Sequence, residues 1–456
     1  MDLMLLVSAT MILIVCVSVP IITRNYRLFT IWNYFLAFVF LNIVVRTYFI
    51  VFDFGTVDPW STFLKNLSID DLIWGSLLYA MSCFFLCLGY LSVGKKAKLS
   101  FWPGVISSAG FSSNYVRTLQ LRLLFALVVS LGSFLYFIYA NSSGLALNAL
   151  ENLSGYRGTT TNLAEYSAQG YLRLLISFSE LVFFISVYLI IIKQGSKRLL
   201  IILAILSFLI SLAMGIFTSS RAAVIMLFLE ILILQILLTD KKVNPFAIAV
   251  VATVIIILFT FMTSLRAGSG LEEFTFKSIL VNFASHAVLN NGGLDISKTI
   301  LVKQYVDATF NIHLGSTLFL FLFLAFPRSL WPDKPVNLDT FIGFEVYGAQ
   351  TFGTGAVPPG FPAEMYLNFH YGGLILGLFI LGAVSKMLHN DFLQRRSDPF
   401  YLLYYVLVPL SILYSVMASG FSSAIIGKLV TLIPLIIILK HKWRFKRKNL
   451  NAKLKN

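Results

Sequence analysis

Apolar runs separated by short polar segments recur along almost the whole chain. A transmembrane helix needs about 20 mostly apolar residues to cross about 30 Å of hydrocarbon. About eleven runs reach that length, and they cover residues 3–22, 28–52, 72–94, 119–140, 171–192, 199–217, 222–239, 245–264, 371–388, 399–418 and 424–440. The pattern predicts an all-α polytopic membrane protein whose residues 1–456 form a single transmembrane domain.

Composition supports this fold class and excludes a soluble globular protein. Hydrophobic residues make up 58% of the chain and charged residues only 12%, whereas soluble domains carry about 25% charged residues. The formal net charge of +15 suits nucleic-acid binding as well as membrane loops. The positions of the basic residues therefore have to decide between the two.

The basic residues cluster beside apolar runs, at every second connection. These segments are 24–27, 95–98, 193–198, 239–242, 394–396 and the tail 441–456. Cytoplasmic loops of membrane proteins accumulate lysine and arginine, so these connections and the basic tail are predicted to be cytoplasmic. The segments 53–71, 141–170 and 265–370 are then predicted to face a periplasm-like space, the last as a large loop or lid.

The long loop contains elements of its own. The run that includes "LFLFLFLAF" extends from about Leu314 to Phe326 and would rise only about 20 Å as a helix, too short to span. We expect it to dip into the outer leaflet or pack on the bundle. The pieces "FTFKSILVNFASHAVL" and "ISKTILVKQYVDATF" are typical of short amphipathic helices, whereas "TFGTGAVPPGFPAEMY" is predicted to form turns.

Several cations are predicted on the outer side. Arg221 begins a span after "TSS", and a helix N-terminus favours phosphate. Arg173 begins one span, Arg266 stands at the end of another, and Arg157 lies in the outer segment "SGYRGTT". Each alone is typical of an interface arginine, but several on the outer face, against the usual cytoplasmic bias, favour a functional role.

The motif "FPRSLWPDKP" combines Arg328 and Lys334 with three prolines and Trp331. Proline lowers the cost of ordering a binding loop, and guanidinium groups match phosphate oxygens. Trp331 suits either the membrane interface or stacking on a sugar ring. A turn with an interfacial tryptophan is the alternative.

Two groups near the next span could accept a proton. Glu364 and His370 lie in "GFPAEMYLNFHYGG", and their spacing of six does not place them on one helical face. Each also suits a structural role, Glu364 as the partner of an arginine and His370 as an interface histidine. Glu180 is expected to be a buried polar partner of another helix, and Lys428 a further outer cation.

The sequence contains no hydrolase, metalloprotease or nucleotide-binding motif in a suitable context, and its three cysteines lie in apolar runs. We therefore expect no metal, no cofactor and no nucleic-acid partner. The basic tail is typical of an anchor to anionic bilayer lipid.

Three short motifs together resemble those of the Wzy-type polymerases of O-antigen and capsule oligosaccharide repeat units. They are "FTSSRAAVI", "FPRSLWPDKP" and "AEMYLNFHYGGLILG", and the resemblance runs from about Gly215 to Gly382. It implies a GT-C-like glycosyltransferase of the bacterial inner membrane with its active site facing the periplasm. Members of that family usually have a glycine where this chain has His370.

The resemblance also implies the substrates. Donor and acceptor would be undecaprenyl-diphosphate-linked oligosaccharides, and the growing glycan would move to the non-reducing end of a new unit without metal. Arg157, Arg173, Arg221, Arg266, Arg328 and Lys334 would bind the diphosphate, with Trp331 on sugar or lipid. Glu364 and His370 would be the catalytic candidates, and a chain-length regulator a possible partner.

Three other functions stay open. An O-antigen ligase has nearly the same architecture and uses outer-face arginines and a histidine. A lipid-linked oligosaccharide flippase or other transporter would place its cations at mid-membrane depth. An enzyme that uses a polyprenyl-monophosphate sugar would carry an acidic motif in its first outer loop, for which "IDD" at 69–71 is a weak candidate.

Overall fold

The structure, a computed structural model, describes most of the chain. The described residues are 2–25, 29–52, 68–101, 113–141, 170–217, 221–239, 250, 252–258, 260–261, 294, 296–323, 326, 331, 334–348, 357–395 and 398–439. They form helices and connecting segments, with no strand in any of these ranges. The predicted basic tail 441–456 and the predicted loop helix 274–289 lie outside them.

The α-helices are numbered here in chain order. They are α1 Asp2–Thr23, α2 Ile31–Val39, α3 Arg46–Val51, α4 Ile69–Ser92, α5 Ser113–Asn141, α6 Gly170–Ile176, α7 Phe178–Ile191, α8 Lys197–Phe217, α9 Arg221–Thr239, α10 Ile296–Thr309, α11 Leu338–Phe341, α12 Phe361–Arg395, α13 Pro399–Leu407, α14 Ile412–Ser419 and α15 Phe421–Leu439. A π-helical segment, Phe40–Val45, joins α2 to α3, and a second, Ile342–Val346, follows α11. A 3₁₀-helix covers Ser316–Phe323.

Nine segments of the described chain are long and apolar enough to cross a bilayer, as expected of a multi-pass membrane protein. They are Leu3–Thr23, Ile31–Tyr48, Ile69–Ser92, Ser113–Ala140, Leu172–Ile191, Lys197–Phe217, Phe361–Arg395, Phe400–Ser419 and Phe421–Leu439. Each overlaps a predicted run, and Phe361–Arg395 begins before the run predicted over 371–388. The predicted span 222–239 is helix α9, whose apolar part Ala223–Leu238 is shorter, and most of 245–264 is not described.

Two ends of the bundle can be distinguished. The basic end carries Arg24, Lys95 and Lys386, which line one pocket together with His389. The opposite end, here called the loop end, carries α10, the 3₁₀-helix and α11. The 3₁₀-helix packs on α12 and α15, so the apolar run before Phe326 is a short element that does not span, as predicted.

The most extensive helix pair is α4 with α12, and its glycines explain why. A Cβ atom added to Gly89 would lie 1.9 Å from the carbonyl oxygen of Phe379, and one added to Gly382 would lie 2.0 Å from that of Leu86. The two backbones therefore touch. Lipid is as apolar as the helices, so close packing at small residues is what holds such a pair together.

Helix α12 reverses direction at His370. Its backbone there has φ 55° and ψ −141°, which divides α12 into segments 361–369 and 371–395. A Cβ atom on Gly373 would lie 2.3 Å from the Met365 carbonyl oxygen, and one on Gly377 would lie 2.4 Å from the Met365 Sδ. Segment 371–395 thus runs back against segment 361–369, and α12 is a helical hairpin.

The start of this hairpin corrects one prediction from the sequence. Turns were predicted through residues 351–366, but helix begins at Phe361. Gly360, just before the helix, takes φ 80°. Pro362 lies in the first helical turn, where backbone N–H groups have no acceptor within the helix, so the N–H that proline lacks costs no hydrogen bond. The second predicted piece is confirmed as a helix, α10, which packs on α4 and α12. The predicted amphipathic pattern is wrong, because the residues that α10 buries include Ser297, Lys298 and Thr299.

The reversal exposes backbone carbonyls that another segment satisfies. The N–H of His313 donates to the Leu367 carbonyl at 3.1 Å, and that of Leu314 to the Asn368 carbonyl at 3.2 Å. The Asn368 side chain accepts from the N–H of Gly315 at 2.9 Å. Unpaired backbone groups are costly away from water, so segment 313–315 stabilises the hairpin by closing its turn.

Adjacent glycines allow a test of the hairpin. We expect Gly373→Ala to destabilise the protein by about 1–3 kcal/mol, because the backbone at Met365 has to move. Gly372 has no neighbour within 4 Å of an added Cβ. Gly372→Ala should therefore leave stability equal or up to about 1 kcal/mol higher, as for alanine in place of a helical glycine.

Thermal denaturation of the purified protein in detergent, followed by size-exclusion chromatography, measures both variants. Equal melting temperatures for the two alanine variants would contradict the hairpin.

Candidate functional site

The strained residue His370 marks the candidate site at the loop end. Its φ and ψ lie in a region that glycine adopts readily and other residues rarely do. Such conformations cost about 1–3 kcal/mol and are concentrated at functional sites. The imidazole side chain is 41% exposed, so the strained residue carries a titratable group that a ligand can reach.

Three side chains form a chain of hydrogen bonds at this site. The hydroxyl of Tyr366 lies 2.9 Å from the Nε2 of His370 and 2.9 Å from the Oδ1 of Asp307, to which it donates. Tyr366 itself is fully buried, and its ring packs 4.5 Å from the His370 ring. Asp307 also accepts from the Nζ of Lys303, one helical turn earlier on α10.

These bonds determine which nitrogen of His370 carries the proton in the neutral ring. A tyrosine hydroxyl has one hydrogen, so a hydroxyl that donates to Asp307 can only accept from His370. Nε2 is then protonated, and Nδ1 keeps its lone pair. None of the described residues hydrogen-bonds to Nδ1, so it can accept a proton from a bound hydroxyl group.

Asp307 supplies a fixed negative charge beside this imidazole. Partial burial acts to raise its pKa, but hydrogen bonds from Lys303 and Tyr366 outweigh burial and hold the pKa of Asp307 below its ordinary value. The carboxylate is therefore ionised at neutral pH. Its Oδ1 lies 3.7 Å from the Nε2 of His370, close enough to stabilise an imidazolium ion.

Glu364 occupies a different environment, on the buried side of the same helical segment. It is 0% exposed, and its Oε1 accepts from the Thr317 hydroxyl at 3.2 Å. Its Oε2 accepts from the N–H of Phe421, the first residue of α15. A carboxylate at a helix N-terminus satisfies free N–H groups and favours the helix dipole. Glu364 therefore caps α15.

Neighbouring polar groups complete this buried network. Asn368 donates to the Thr317 hydroxyl at 2.6 Å and to the Glu364 carbonyl at 2.8 Å. Gly420 takes φ 92°, and a Cβ atom there would lie 2.9 Å from Oε2 of Glu364. Glycine is thus required just before α15. Glu364 and His370 share no contact, as their sequence spacing predicted.

The remaining predicted site residues are Lys334 and Trp331 of the long loop, Arg173 on α6, and four arginines whose side chains are not described. Lys334 donates from Nζ to the Phe326 carbonyl at 2.9 Å, and Trp331 packs edge-on against Phe323, at 5.4 Å between ring centroids. Arg173 lies on α6 with its guanidinium 5.9 Å from the centre of the Phe137 ring. Arg221 begins α9, but its side chain and the whole of Arg157, Arg266 and Arg328 lie outside the described residues.

A second group of ionisable residues lies inside the bundle. Glu180 of α7, Glu230 of α9 and Lys428 of α15 line one cavity of about 280 Å³. Glu180 lies opposite ionisable groups of two other helices, in agreement with its prediction as a buried polar group. Lys428, predicted as an outer cation, lines the same cavity. Glu230 was not among the predicted site residues, although a lone carboxylate in the apolar run "LFLEILILQ" is a sufficient signal.

No group of three or more histidine, cysteine or acidic side chains within the described ranges is placed to hold a metal ion.

Comparison with known proteins adds no assignment. No protein-family model, curated protein or solved structure matches the chain.

Replacing His370 tests the backbone strain. His370→Gly and His370→Ala lose the same imidazole contacts, but only glycine relaxes at φ 55°. We expect His370→Gly to be more stable than His370→Ala by about 1 kcal/mol or more. Thermal denaturation of both variants in detergent measures the difference. An alanine variant as stable as the glycine variant would show that the backbone at residue 370 is unstrained.

Proposed function

We propose that the protein is a metal-independent glycosyltransferase of the bacterial inner membrane. It polymerises undecaprenyl-diphosphate-linked oligosaccharide repeat units of O-antigen or capsule by transferring the growing glycan to the non-reducing end of a new unit. The motifs "FTSSRAAVI" and "FPRSLWPDKP" support this class of enzyme. The observation that carries the proposal of a glycosyltransferase is the half-exposed His370, oriented through Tyr366 by Asp307. The polymerase family usually has a glycine at this position, so the choice of a polymerase rests on the two motifs and not on His370.

In the proposed reaction, the Nδ1 of His370 removes the proton from an acceptor sugar hydroxyl. The hydroxyl oxygen attacks the anomeric carbon of the donor glycan and forms the new glycosidic bond. The bond from that carbon to the diphosphate breaks, and the lipid diphosphate leaves with the electron pair. Asp307 stabilises the imidazolium, which then releases its proton to water.

The leaving diphosphate requires cations. Guanidinium groups bind phosphate oxygens in bidentate fashion, and a preorganised positive site lowers the barrier to departure. We assign this role to Arg157, Arg173, Arg221, Arg266, Arg328 and Lys334. Trp331, 36% exposed, is assigned contact with sugar or lipid.

His370 fits the role of base better than Glu364. Both oxygens of Glu364 already accept hydrogen bonds from the protein, and the carboxylate is closed off from ligand. Glu364 acts instead as a positioning residue, which joins the hairpin to α15. A polymerase with this arrangement faces the periplasm, where lipid-linked units are presented.

A transporter of lipid-linked oligosaccharide is the second candidate, because one observation favours it. Glu180, Glu230 and Lys428 lie within helices that can span the membrane or pack among them, where ionisable residues mark transport pathways. An O-antigen ligase would share the loop-end chemistry.

Deletion of the gene, followed by gel analysis of surface polysaccharide, distinguishes these functions. Loss of a polymerase leaves single-repeat products because units are still exported and attached. Complete absence of decoration would support a ligase or a transporter instead.

Complementation of the deletion strain tests the site. We expect His370→Gln to reduce long chains by about 100-fold or more at a normal protein level, as for loss of a general base. Alanine at Arg221, Arg266 or Arg328 should also abolish long chains. Glu345→Gln, which changes an exposed carboxylate at the loop end, serves as the control and should retain the ladder.

A full ladder with His370→Gln would remove the base assignment. Full ladders with all three arginine variants would count against the enzyme class.

A further inference from the structure

The cavity within the bundle lies where four helical elements meet. Glu180 of α7, Glu230 of α9, Lys428 of α15 and Ser411, between α13 and α14, each reach its wall. Glu180 stands near the middle of the candidate span Leu172–Ile191, and Lys428 near the middle of Phe421–Leu439. Ionisable groups at such depth are costly and serve a function by default.

The two carboxylates are available to a ligand. Glu230 is only 6% exposed, yet neither it nor Glu180 forms a hydrogen bond or an ion pair with the described residues. Burial of a carboxylate without a hydrogen-bond donor costs free energy, because the lost hydration is not replaced by protein contacts. Both side chains face the same cavity, so one occupant can serve both.

Lys428 does not neutralise them directly. Its Nζ donates to the Ser411 hydroxyl and to the Leu407 carbonyl, the latter at 3.3 Å. The ammonium group is therefore tied to the α13–α14 connection and not to α7 or α9. With all three groups ionised, the cavity would carry one negative charge in excess. A membrane interior does not tolerate an uncompensated charge, so one further positive charge has to bind.

The surroundings favour a proton over a metal ion. A metal ion needs several ligands, and within the described ranges no group of three or more histidine, cysteine or acidic side chains is placed to hold one, whereas a proton needs only one carboxyl oxygen. The other titratable groups near the carboxylates are two neutral tyrosines: Tyr414 on α14 lines the cavity, and Tyr34 on α2 lies near Glu230 with its hydroxyl directed at the Sδ of Met226. On α8, which packs on α7, the charged residues Lys197 and Arg198 lie at the start of the helix, and neither lines the cavity.

Arg221 begins α9 two residues before Ala223, which lines the cavity, although its side chain lies outside the described residues. Arg221 is the other charged residue on α9, one of the helices that line the cavity.

We propose that Glu180 and Glu230 form a proton-binding site, in which the two carboxyl groups share one exchangeable proton beside Lys428. Two neighbouring carboxylates commonly hold a single proton because like charges close together are not both ionised. Release of this proton leaves two anions facing one ammonium group. Lys428 then moves from Ser411 to one of the carboxylates, which ties α15 to α7 or to α9. This inference is independent of the transferase proposal and holds equally for a ligase or a transporter.

Infrared spectroscopy of the purified protein in lipid nanodiscs tests the site without an activity assay. The carbonyl stretch of protonated carboxyl groups, identified by its shift in deuterated water, is compared between variants at neutral pH. We expect the carbonyl signal of the wild-type protein to correspond to one more protonated carboxyl group per chain than the signal of Glu180→Gln or of Glu230→Gln. Removal of either anion leaves the other paired with Lys428 and no proton to hold.

The opposite change is expected for Lys428→Gln. Without the ammonium group both carboxyls are protonated, so the signal rises by one group above wild type. Glu345→Gln removes an exposed carboxylate and should match wild type, which makes it the control for a glutamate-to-glutamine change. Size-exclusion chromatography establishes that each variant is folded. Should one glutamine variant fail to fold, the other carries the same expectation.

Two results would overturn the proposal. One is a protonated-carboxyl signal equal in wild type and in the folded glutamine variants, which would show that both glutamates are ionised. The other is loss of the wild-type signal on addition of NaCl at constant pH, with choline chloride as the comparison. That loss would assign the site to a sodium ion.

Discussion

The carboxylate of Glu364 is the contact on which the loop end depends. It accepts the first N–H of α15 while its own helix segment belongs to the α12 hairpin. A buried anion is stable only where several donors surround it, and here Thr317 and the start of α15 provide them. The same bond therefore positions the segment that carries Tyr366 and His370 and the helix that carries Lys428.

This arrangement joins two chemically different sites within one framework. At the loop end, strain at His370 exposes an imidazole that Tyr366 and Asp307 orient. Inside the bundle, Lys428 lies two turns below the capped end of α15 and faces Glu180 and Glu230. The bond from Glu364 to Phe421 therefore connects α15 directly to the hairpin.

The spans could be predicted from the sequence because bilayer thickness imposes a local length requirement on each apolar run. The site could not. The bond between Tyr366 and Asp307 joins residues that are distant in sequence, and the reversal at His370 depends on a backbone conformation that its residue type disfavours. The glycine pair after His370 was the one local indication of a tight turn. Glu230 and Arg46, both buried in apolar helices, were visible in the sequence but were not singled out.

The depth of the intramembrane cavity makes it sensitive to the electric field. A transmembrane voltage does work of about 2.3 kcal/mol on an elementary charge that crosses the whole membrane at 100 mV. A charge that travels to Glu180, near the middle of its span, crosses roughly half of that drop and experiences about 1 kcal/mol. For the proposed proton site, occupancy is therefore expected to depend on membrane potential as well as on pH, so that an energised cell and a depolarised one would hold the protein in different charge states.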